Sequence, residues 1–489
     1  MYEQLDLFGF APSQYIIKKP IRLIELFAGI GAQSKALEVL KANFESYKIA
    51  EWSKESIKAY TYIHHYEEIK NCNDKEITSL TGISRNYNEP MTKEQINNLK
   101  EDEKILLTNC KKITHNLIDI SKVKGEDLNI VDTDKYEYIL TYSFPCQDLS
   151  LAGKLGGMEE DSGTRSSLLW QVYRILTECK EKGNLPNTLL MENVPQVIGI
   201  KNKSSFHKFM KRLEDLGYKN FVKVLNSKDF YIPQNRQRCF MVSILTKEDV
   251  FSFPNKMKLD YYLLDFLDKE VDEKYYLSDD KIIQIQNWKG FENPLEDIDP
   301  NRVCSTLTTH CGKDSNGMQL VLVPENTKKG YAEAKVEDGV YINRPHQKRG
   351  VVQKGMIQTI KTSCDDIGVV VIGGIGEKKS NNGTQWFLQD RVYDNKISPA
   401  ICTSFNPYFL TKHLRIRKLT PCECYKLMGF TQRDYERCAE IQSNATIYHQ
   451  AGDSIVVTVL IAIFGKLLGI DYEKVIKEYV KGEILNENL

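Results

Sequence analysis

The chain has 489 residues, of which 41% are hydrophobic and 27% charged; that is enough for two or three domains with proper cores and excludes a disordered or fibrous protein. Sixty-six Lys plus Arg balance 66 Asp plus Glu, which argues against nonspecific coating of nucleic acid and leaves open binding through one local basic face. The 12 cysteines are scattered without a Cys-x-x-Cys pair, so neither a zinc site nor a disulfide framework is expected, and they read as reduced thiols.

Met1 to Gln14 lacks the basic start and apolar stretch of a secretory signal, and a cytoplasmic location is the expectation. From Ile21 to about Leu245, short apolar runs alternate with amphipathic stretches. Strands are expected near Ile21 to Phe27, Tyr47 to Glu51, Leu117 to Ile120, Tyr138 to Tyr142, Thr188 to Glu192 and Cys239 to Ile244. Helices fit Gln33 to Leu40, Lys54 to His64, Ser167 to Cys179 and Phe206 to Leu216, and the alternation predicts an α/β fold with a mostly parallel sheet. Residues 67–112, rich in Lys, Glu and Asn, read as a helical insertion or surface excursion.

Residues 246–412 break the rhythm with a weak repeat, Thr306-Leu307-Thr308-Thr309, Thr359-Ile360-Lys361-Thr362 and Ala400-Ile401-Cys402-Thr403. Apolar runs follow the first two, Leu320 to Val323 and Val369 to Ile372, so a separate β-rich domain is expected. Helical spacing returns in 413–489, where the apolar run Ile455 to Leu468 carries Lys466 and is shorter than the ~20 residues of a membrane span. The chain thus divides into a tail (1–14), a cofactor-binding domain (15–245, with the insertion 67–112), a β-rich domain (246–412) and a C-terminal segment (413–489).

Glu25-Leu26-Phe27-Ala28-Gly29-Ile30-Gly31-Ala32 sets two glycines at a strand-to-helix turn, where backbone amides can approach a ligand. The dinucleotide fingerprint wants a third glycine where Ser34 stands, so no diphosphate need be assumed. Glu51 ends the next strand, suited to accept from ribose hydroxyls, and Trp52 beside it suits an adenine face. A tight turn followed by a surface acid gives the same pattern.

Ser143-Phe144-Pro145-Cys146-Gln147-Asp148-Leu149-Ser150 follows an expected strand, where open α/β sheets place their ligands. A lone cysteine is more often a small buried hydrophobe than a nucleophile. Three neighbours raise Cys146 above that: Met191-Glu192-Asn193-Val194 at another strand end, Gln234-Asn235-Arg236-Gln237-Arg238 with two arginines at i and i+2, and the glycine-containing stretch Ser150 to Arg165. The first brings a carboxyl group to the same sheet edge, the second can converge on an anion or a base, and the third suits a mobile lid.

In their order and spacing these motifs resemble the bacterial and phage DNA cytosine-5 methyltransferase family: Phe-Ala-Gly-x-Gly, Pro-Cys-Gln, Glu-Asn-Val and Gln-x-Arg-x-Arg. Arg417-Lys418-Leu419-Thr420-Pro421 through Gly429-Phe430, then Gln450-Ala451-Gly452-Asp453-Ser454-Ile455, continue it. The resemblance implies a Rossmann-like S-adenosylmethionine-dependent catalytic domain with a smaller β-rich target-recognition domain in 246–412. Cys146 would attack cytosine C6 while Glu192 protonates the N3 edge, since C5 is a poor nucleophile until a thiolate has added at C6. Arg165, Arg236 and Arg238 match family positions that hold the base or a phosphate, and can lower the thiol pKa. The cofactor positions carried over are Phe27, Gly29, Ile30, Gly31, Glu51, Trp52, Asp119, Ile120, Pro145, Leu168, Asp453 and Ser454. Asp453 departs from the family's usual Asn: it accepts hydrogen bonds but cannot donate, and it adds negative charge.

The implied partner is double-stranded DNA with a flipped-out target base, in restriction-modification or phage and host DNA modification, by a monomer associated with the bacterial nucleoid. Arg344, Lys348, Arg349 and Arg391 are candidates to read guanine edges or, more commonly, to grip phosphates. Gln4-Leu5-Asp6-Leu7-Phe8 is similar to the peptide by which bacterial proteins dock on the replication sliding clamp; a disordered start or a short strand is the alternative. The competing functions are a tRNA cytosine-5 methyltransferase, which shares Pro-Cys and Glu-Asn-Val, and a catalytically silent DNA-binding regulator. The large variable region favours DNA over tRNA, and intact Cys146, Glu192, Arg236 and Arg238 weigh against the regulator. An amino-directed methyltransferase would need a second proline after Asn406-Pro407-Tyr408.

Overall fold

The computed structural model describes residues 14–145, 158–160, 164–275, 321–325, 327, 331–334, 338–341, 350–359, 367–372, 379–380, 383–384, 414–417 and 419–486. Cys146, Gln4 to Phe8, most of Ser150 to Arg165, Arg344, Lys348, Arg349, Arg391 and all of the Thr-containing repeat except Thr359 lie outside the described residues. The chain forms two compact units, Met1–Tyr261 with Pro421–Leu489, and Tyr262–Thr420.

The first unit is built on a six-stranded sheet in the order β2-β1-β3-β4-β6-β5. Its strands are β1 (Ile21–Leu26), β2 (Phe44–Ala50), β3 (Glu137–Tyr142), β4 (Thr188–Asn193), β5 (Lys219–Asn226) and β6 (Gln237–Ile244). Every residue of β3 and β4 is buried, the signature of central strands covered on both faces. β2, β1, β3 and β4 run parallel, whereas β6 runs antiparallel to both β4 and β5. The sheet is therefore mixed. Its edge strand β5, KNFVKVLN with a largely half-exposed pattern, gives only a weak apolar alternation, and so escapes a reading based on apolar runs.

Leu117 to Ile120, expected to be a strand, is a loop. Ile118 has φ +65°, which a β-branched residue leaves a ladder to adopt. The Asn116 side chain takes over the pairing: Oδ1 accepts from the amides of Glu51 (3.0 Å) and Ile118 (2.9 Å), and Nδ2 donates to the Glu51 carbonyl (2.9 Å).

Helices α1 (Ala32–Val39), α2 (Lys54–His64), α6 (Leu169–Glu181) and α7 (Lys203–Leu216) fall close to their expected places. α2 starts on Ser53, whose side chain accepts from the Ser56 amide, as an N-cap should. The insertion holds three helices, α3 (Tyr66–Lys70), α4 (Lys93–Asn97) and α5 (Glu101–Ile113). They close a small core of their own, with Leu80, Ile83, Met91, Leu107 and Cys110 packed against Ile57 and Tyr62 of α2. Residues 246–261 pack on the first unit: the Tyr15 amide donates to the Val250 carbonyl at 2.8 Å, and the Phe221 and Phe251 rings meet edge to face at 5.6 Å.

The C-terminal segment completes the same unit with α8 (Pro421–Leu427), α9 (Gln432–Ala439), α10 (Asn444–Asp453), α11 (Val457–Leu468) and α12 (Tyr472–Tyr479). The stretch 444–468 is long and apolar enough to cross a membrane, yet 83% of its most apolar 18-residue window is buried within the fold, and it breaks into two helices at Ser454–Val456. A buried ion pair, Lys35 Nζ to Asp434 Oδ1 at 3.1 Å, ties α9 to α1. The second unit includes an antiparallel four-stranded sheet in the order 352–353, 339–341, 367–372, 414–417 and an antiparallel hairpin of 321–324 with 331–334.

Ser34, at the missing third glycine, has a structural part. Its hydroxyl donates to Glu25 at 2.7 Å, and the Tyr60 hydroxyl donates to the same carboxylate. Burial pushes the Glu25 carboxyl up to about 7 from its ordinary 4.5. Because the folded value lies above the unfolded one, the carboxylate destabilises the fold increasingly as pH rises from 4.5 towards 7. Relative to Glu25→Gln, the wild-type melting temperature is expected to fall by a few degrees across that window and then level off; a constant difference across the window in thermal melts would contradict it.

Candidate cofactor and catalytic site

The chain leaves β1 through three residues with positive φ: Phe27 (+59°), Gly29 (+57°) and Gly31 (+79°). The Phe27 and Ala28 amides are held by the Ala50 carbonyl at the end of β2 (2.8 and 3.4 Å). The two glycines do different work. A Cβ on Gly31 would sit 2.3 Å from His64 Nε2 and 2.7 Å from the Tyr60 ring, so Gly31 lets α2 pack against the turn. A Cβ on Gly29 would meet nothing within 4 Å, because that side is open. His64 Nε2 lies 3.0 Å from the Ile30 carbonyl, and burial pushes its pKa down to about 3. It is therefore neutral, and since a carbonyl only accepts, Nε2 carries the proton.

The open side of Gly29 faces a pocket. Phe27, Gly29 and Ile30 line it from the turn, Asp453 and Ser454 from the end of α10, and Tyr87 and His449 complete the wall. Of the expected cofactor residues, Gly31, Glu51, Trp52, Asp119, Ile120, Pro145 and Leu168 are not in this lining. Glu51 stands just past β2, its Oε2 accepting from the Gly29 amide (2.8 Å) and its Oε1 from the Ser53 amide (2.7 Å). Burial, opposed by these amides, raises its carboxyl to about 7. Asp119, in the loop beside β2, accepts from the Ser121 amide and hydroxyl (2.9 and 2.7 Å). Trp52 packs against the insertion core, Ile120 belongs to the main core, and Leu168 packs on that core.

The lining suits a cofactor with an aromatic part and a cationic part: Asp453 offers a carboxylate, Phe27 and Ile30 supply apolar faces, and a ligand can come close at Gly29, where a Cβ would meet nothing within 4 Å. The carboxylates of Glu51 and Asp119 stand outside this lining.

Of the candidate catalytic residues that the structure describes, Glu192 and Arg238 meet at the carboxyl end of β4, next to the end of β3. The Asn193 side chain donates to the Phe144 carbonyl at 2.8 Å, and the Ser166 hydroxyl donates to the Pro145 carbonyl at 2.8 Å. The chain leading to Cys146 is thus held from two directions. Glu192 is 8% exposed, and its Oε1 pairs with Arg238 Nε at 3.0 Å. Burial raises its carboxyl pKa, with Arg238 and Arg236 opposing and Asp453 adding to the rise. Arg238 reaches it because β6 is antiparallel: the register Asn193↔Cys239 puts the start of β6 beside the end of β4.

Arg236, expected to converge with Arg238 on an anion, is instead 2% exposed. Its Nη2 donates to the carbonyls of Gly452 (2.8 Å) and Ser454 (2.7 Å). Arg165 Nη1 donates to Asn88 Oδ1 at 2.7 Å. Sequence reasoning missed Asn116, Ser166, Tyr87, Asn88 and His449. Asn193, although inside a quoted motif, was not given a role.

A family model described as C-5 cytosine-specific DNA methylase matches residues 92–469. The chain is 28% identical over 457 residues to the type II methyltransferase M2.ScrFI of Lactococcus lactis subsp. cremoris, covering 91% of this chain and 99% of that protein. It is 37% identical over 271 residues to the orphan methyltransferase M.SssI of Spiroplasma monobiae, covering 53% and 68%. Its fold resembles the solved structure of the Entamoeba histolytica methyltransferase EhMeth, with TM-score 0.50 and 15% identity over 92% of this chain and 99% of that one.

The two glycines are expected to separate on substitution. Gly31→Ala should lower the melting temperature sharply, since it adds a clash to a strained φ. Gly29→Ala should fold with a cost of about 1 kcal/mol yet bind S-adenosylmethionine roughly tenfold more weakly, about 1.4 kcal/mol. Thermal melts and titration calorimetry read the two effects; wild-type affinity in Gly29→Ala would remove the pocket assignment.

Proposed function

Given that the chain belongs to the C-5 cytosine-specific DNA methylase family, an enzyme class that transfers a methyl group from S-adenosyl-L-methionine to C5 of cytosine in DNA, we propose that Cys146, Glu192 and Arg238 carry the chemistry. The observation behind this assignment is the buried Glu192–Arg238 pair at the end of β4, joined through Asn193 to the Phe144 carbonyl two residues before Cys146.

The Cys146 thiolate adds to cytosine C6, and the negative charge that builds on the ring is neutralised by a proton delivered from Glu192 to N3. Burial keeps a proton on Glu192 to a higher pH than usual, which suits a general acid, while Arg238 fixes the carboxyl in one orientation. The resulting enamine is nucleophilic at C5. When bound, S-adenosylmethionine supplies an electrophilic sulfonium methyl, for which the pocket beside Gly29 and Asp453 is the proposed seat. After methylation a base removes the C5 proton, the ring re-forms its C5–C6 double bond, thiolate leaves C6 and N3 returns its proton to Glu192. C5 and C6 are inaccessible in stacked duplex, so the target base is flipped out.

The assignment of target recognition to 246–412 is retained for the part that forms the β-rich second unit. Relatives named type II and orphan methyltransferases support either a restriction-modification or a stand-alone modification role; that the chain acts as a monomer at the nucleoid is proposed on the family resemblance alone. The peptide Gln4 to Phe8 is proposed as a sliding-clamp ligand on its resemblance alone; residues 1 to 12 should bind the clamp in a titration, and absence of binding ends that idea.

Cys146→Ser is expected to abolish methylation, read by bisulfite sequencing of DNA from expressing cells, while leaving DNA binding intact. Glu192→Gln should lower kcat by about 10²-fold or more with little change in cofactor affinity. DNA carrying 5-fluorocytosine at the target should become covalently attached, because fluorine cannot leave as the proton does. Full turnover by Cys146→Ser would refute the assignment.

A further inference from the structure

The insertion 67–112 carries a turn, Ser84–Pro90, that is fastened to the sheet edge more firmly than a surface excursion requires. Ser84 is fully buried. Its amide donates to the Trp52 carbonyl (2.7 Å), its carbonyl accepts from the Lys54 amide (2.9 Å), and its hydroxyl donates to the Glu89 carbonyl (2.6 Å). Asn86 Oδ1 closes the turn from within, accepting from the amides of Asn88 and Glu89 (3.1 and 3.3 Å). At the tip, Tyr87 holds φ +62°, a conformation that costs a non-glycine residue energy and persists where the surroundings over-determine it.

What surrounds Tyr87 is the pocket. Its ring stacks on His449 with centroids 4.2 Å apart and planes at 15°, and both rings line the cavity with Asp453. The stack fixes the imidazole so that Nδ1 lies 3.3 Å from Asp453 Oδ2. The next residue of the same turn, Asn88, accepts from Arg165 at 2.7 Å.

We propose that this turn is a built part of the methyl-transfer site, with Tyr87 a wall of the cofactor pocket that holds His449 and Asp453 in place, and Asn88 a positioning residue for Arg165. The proposal rests on the assignment of that pocket to S-adenosylmethionine and of Arg165 to the target base. It gives the Asp at position 453 a context: its carboxylate would face the cationic part of a bound cofactor, next to an imidazole that packs on the Tyr87 ring. One turn then sets both the cofactor wall and an arginine of the base site.

The test uses the full chain without DNA for binding and with DNA for turnover. Tyr87→Ala should raise the Kd for S-adenosylhomocysteine about tenfold by calorimetry and Tyr87→Phe should leave it near wild type, since the ring and not the hydroxyl does the stacking. Asn88→Ala should leave that Kd unchanged and lower kcat about fivefold, with Asn88→Asp, which keeps the acceptor, restoring it. If Tyr87→Ala melts early, Tyr87→Leu decides, with an expected loss of about fivefold in affinity. Wild-type affinity in the variant that folds, or unchanged kcat in Asn88→Ala, overturns the proposal. Failure of the underlying pocket assignment looks different: Gly29→Ala would then also bind S-adenosylhomocysteine as the wild type does.

Discussion

The last carbonyls of a helix have no amide ahead of them to bond, and at the end of α10 a buried guanidinium supplies the donors. Arg236 bonds the carbonyls of Gly452 and Ser454, and its charge opposes the negative end of the helix. Between those two carbonyls sits Asp453. The C-terminal segment is thereby locked to the residue that immediately precedes β6, the strand that carries Arg238, and Arg238 in turn pairs with Glu192. The proposed cofactor wall and the proposed general acid share one short piece of backbone, 236–238, as their support. That explains why Asp453 and Glu192 feel one another's charge although they belong to segments far apart in sequence.

β3 and β4 were legible because every residue in them is buried and they read as short apolar runs, whereas β2, at the other edge, was legible only in its better-buried second half. β5 was not, because an edge strand with Lys219 and Lys223 in it looks like a polar stretch. Leu117 to Ile120 misled for the opposite reason: four residues of strand-like composition are pulled out of the ladder by one asparagine that satisfies the backbone in its place. Local composition does not reveal a side chain substituting for a neighbouring strand.

The site was legible at the level of motifs and less so at the level of tasks. Glu51, Glu192 and the glycine turn stand at strand ends as their positions implied. The division of labour between Gly29 and Gly31 depends on where α2 passes, and the burial of Arg236 depends on a helix end more than 200 residues later; neither has any trace in the local sequence. The insertion was unreadable because its contribution rests on two side chains, Tyr87 and Asn88, whose partners lie in other segments.

The first unit is discontinuous, and its second part follows the whole of the second unit in the chain. α11 packs on α1, yet residues 262–420 must be synthesised between them. Until the final segment emerges, the nascent chain presents the apolar surface meant for α11, and Arg236 lacks the carbonyls that hold it. A chain that stops before α11 therefore keeps that apolar surface exposed and is prone to capture by chaperones or proteases. Such an order of assembly means that the first unit can close only after the second has been translated.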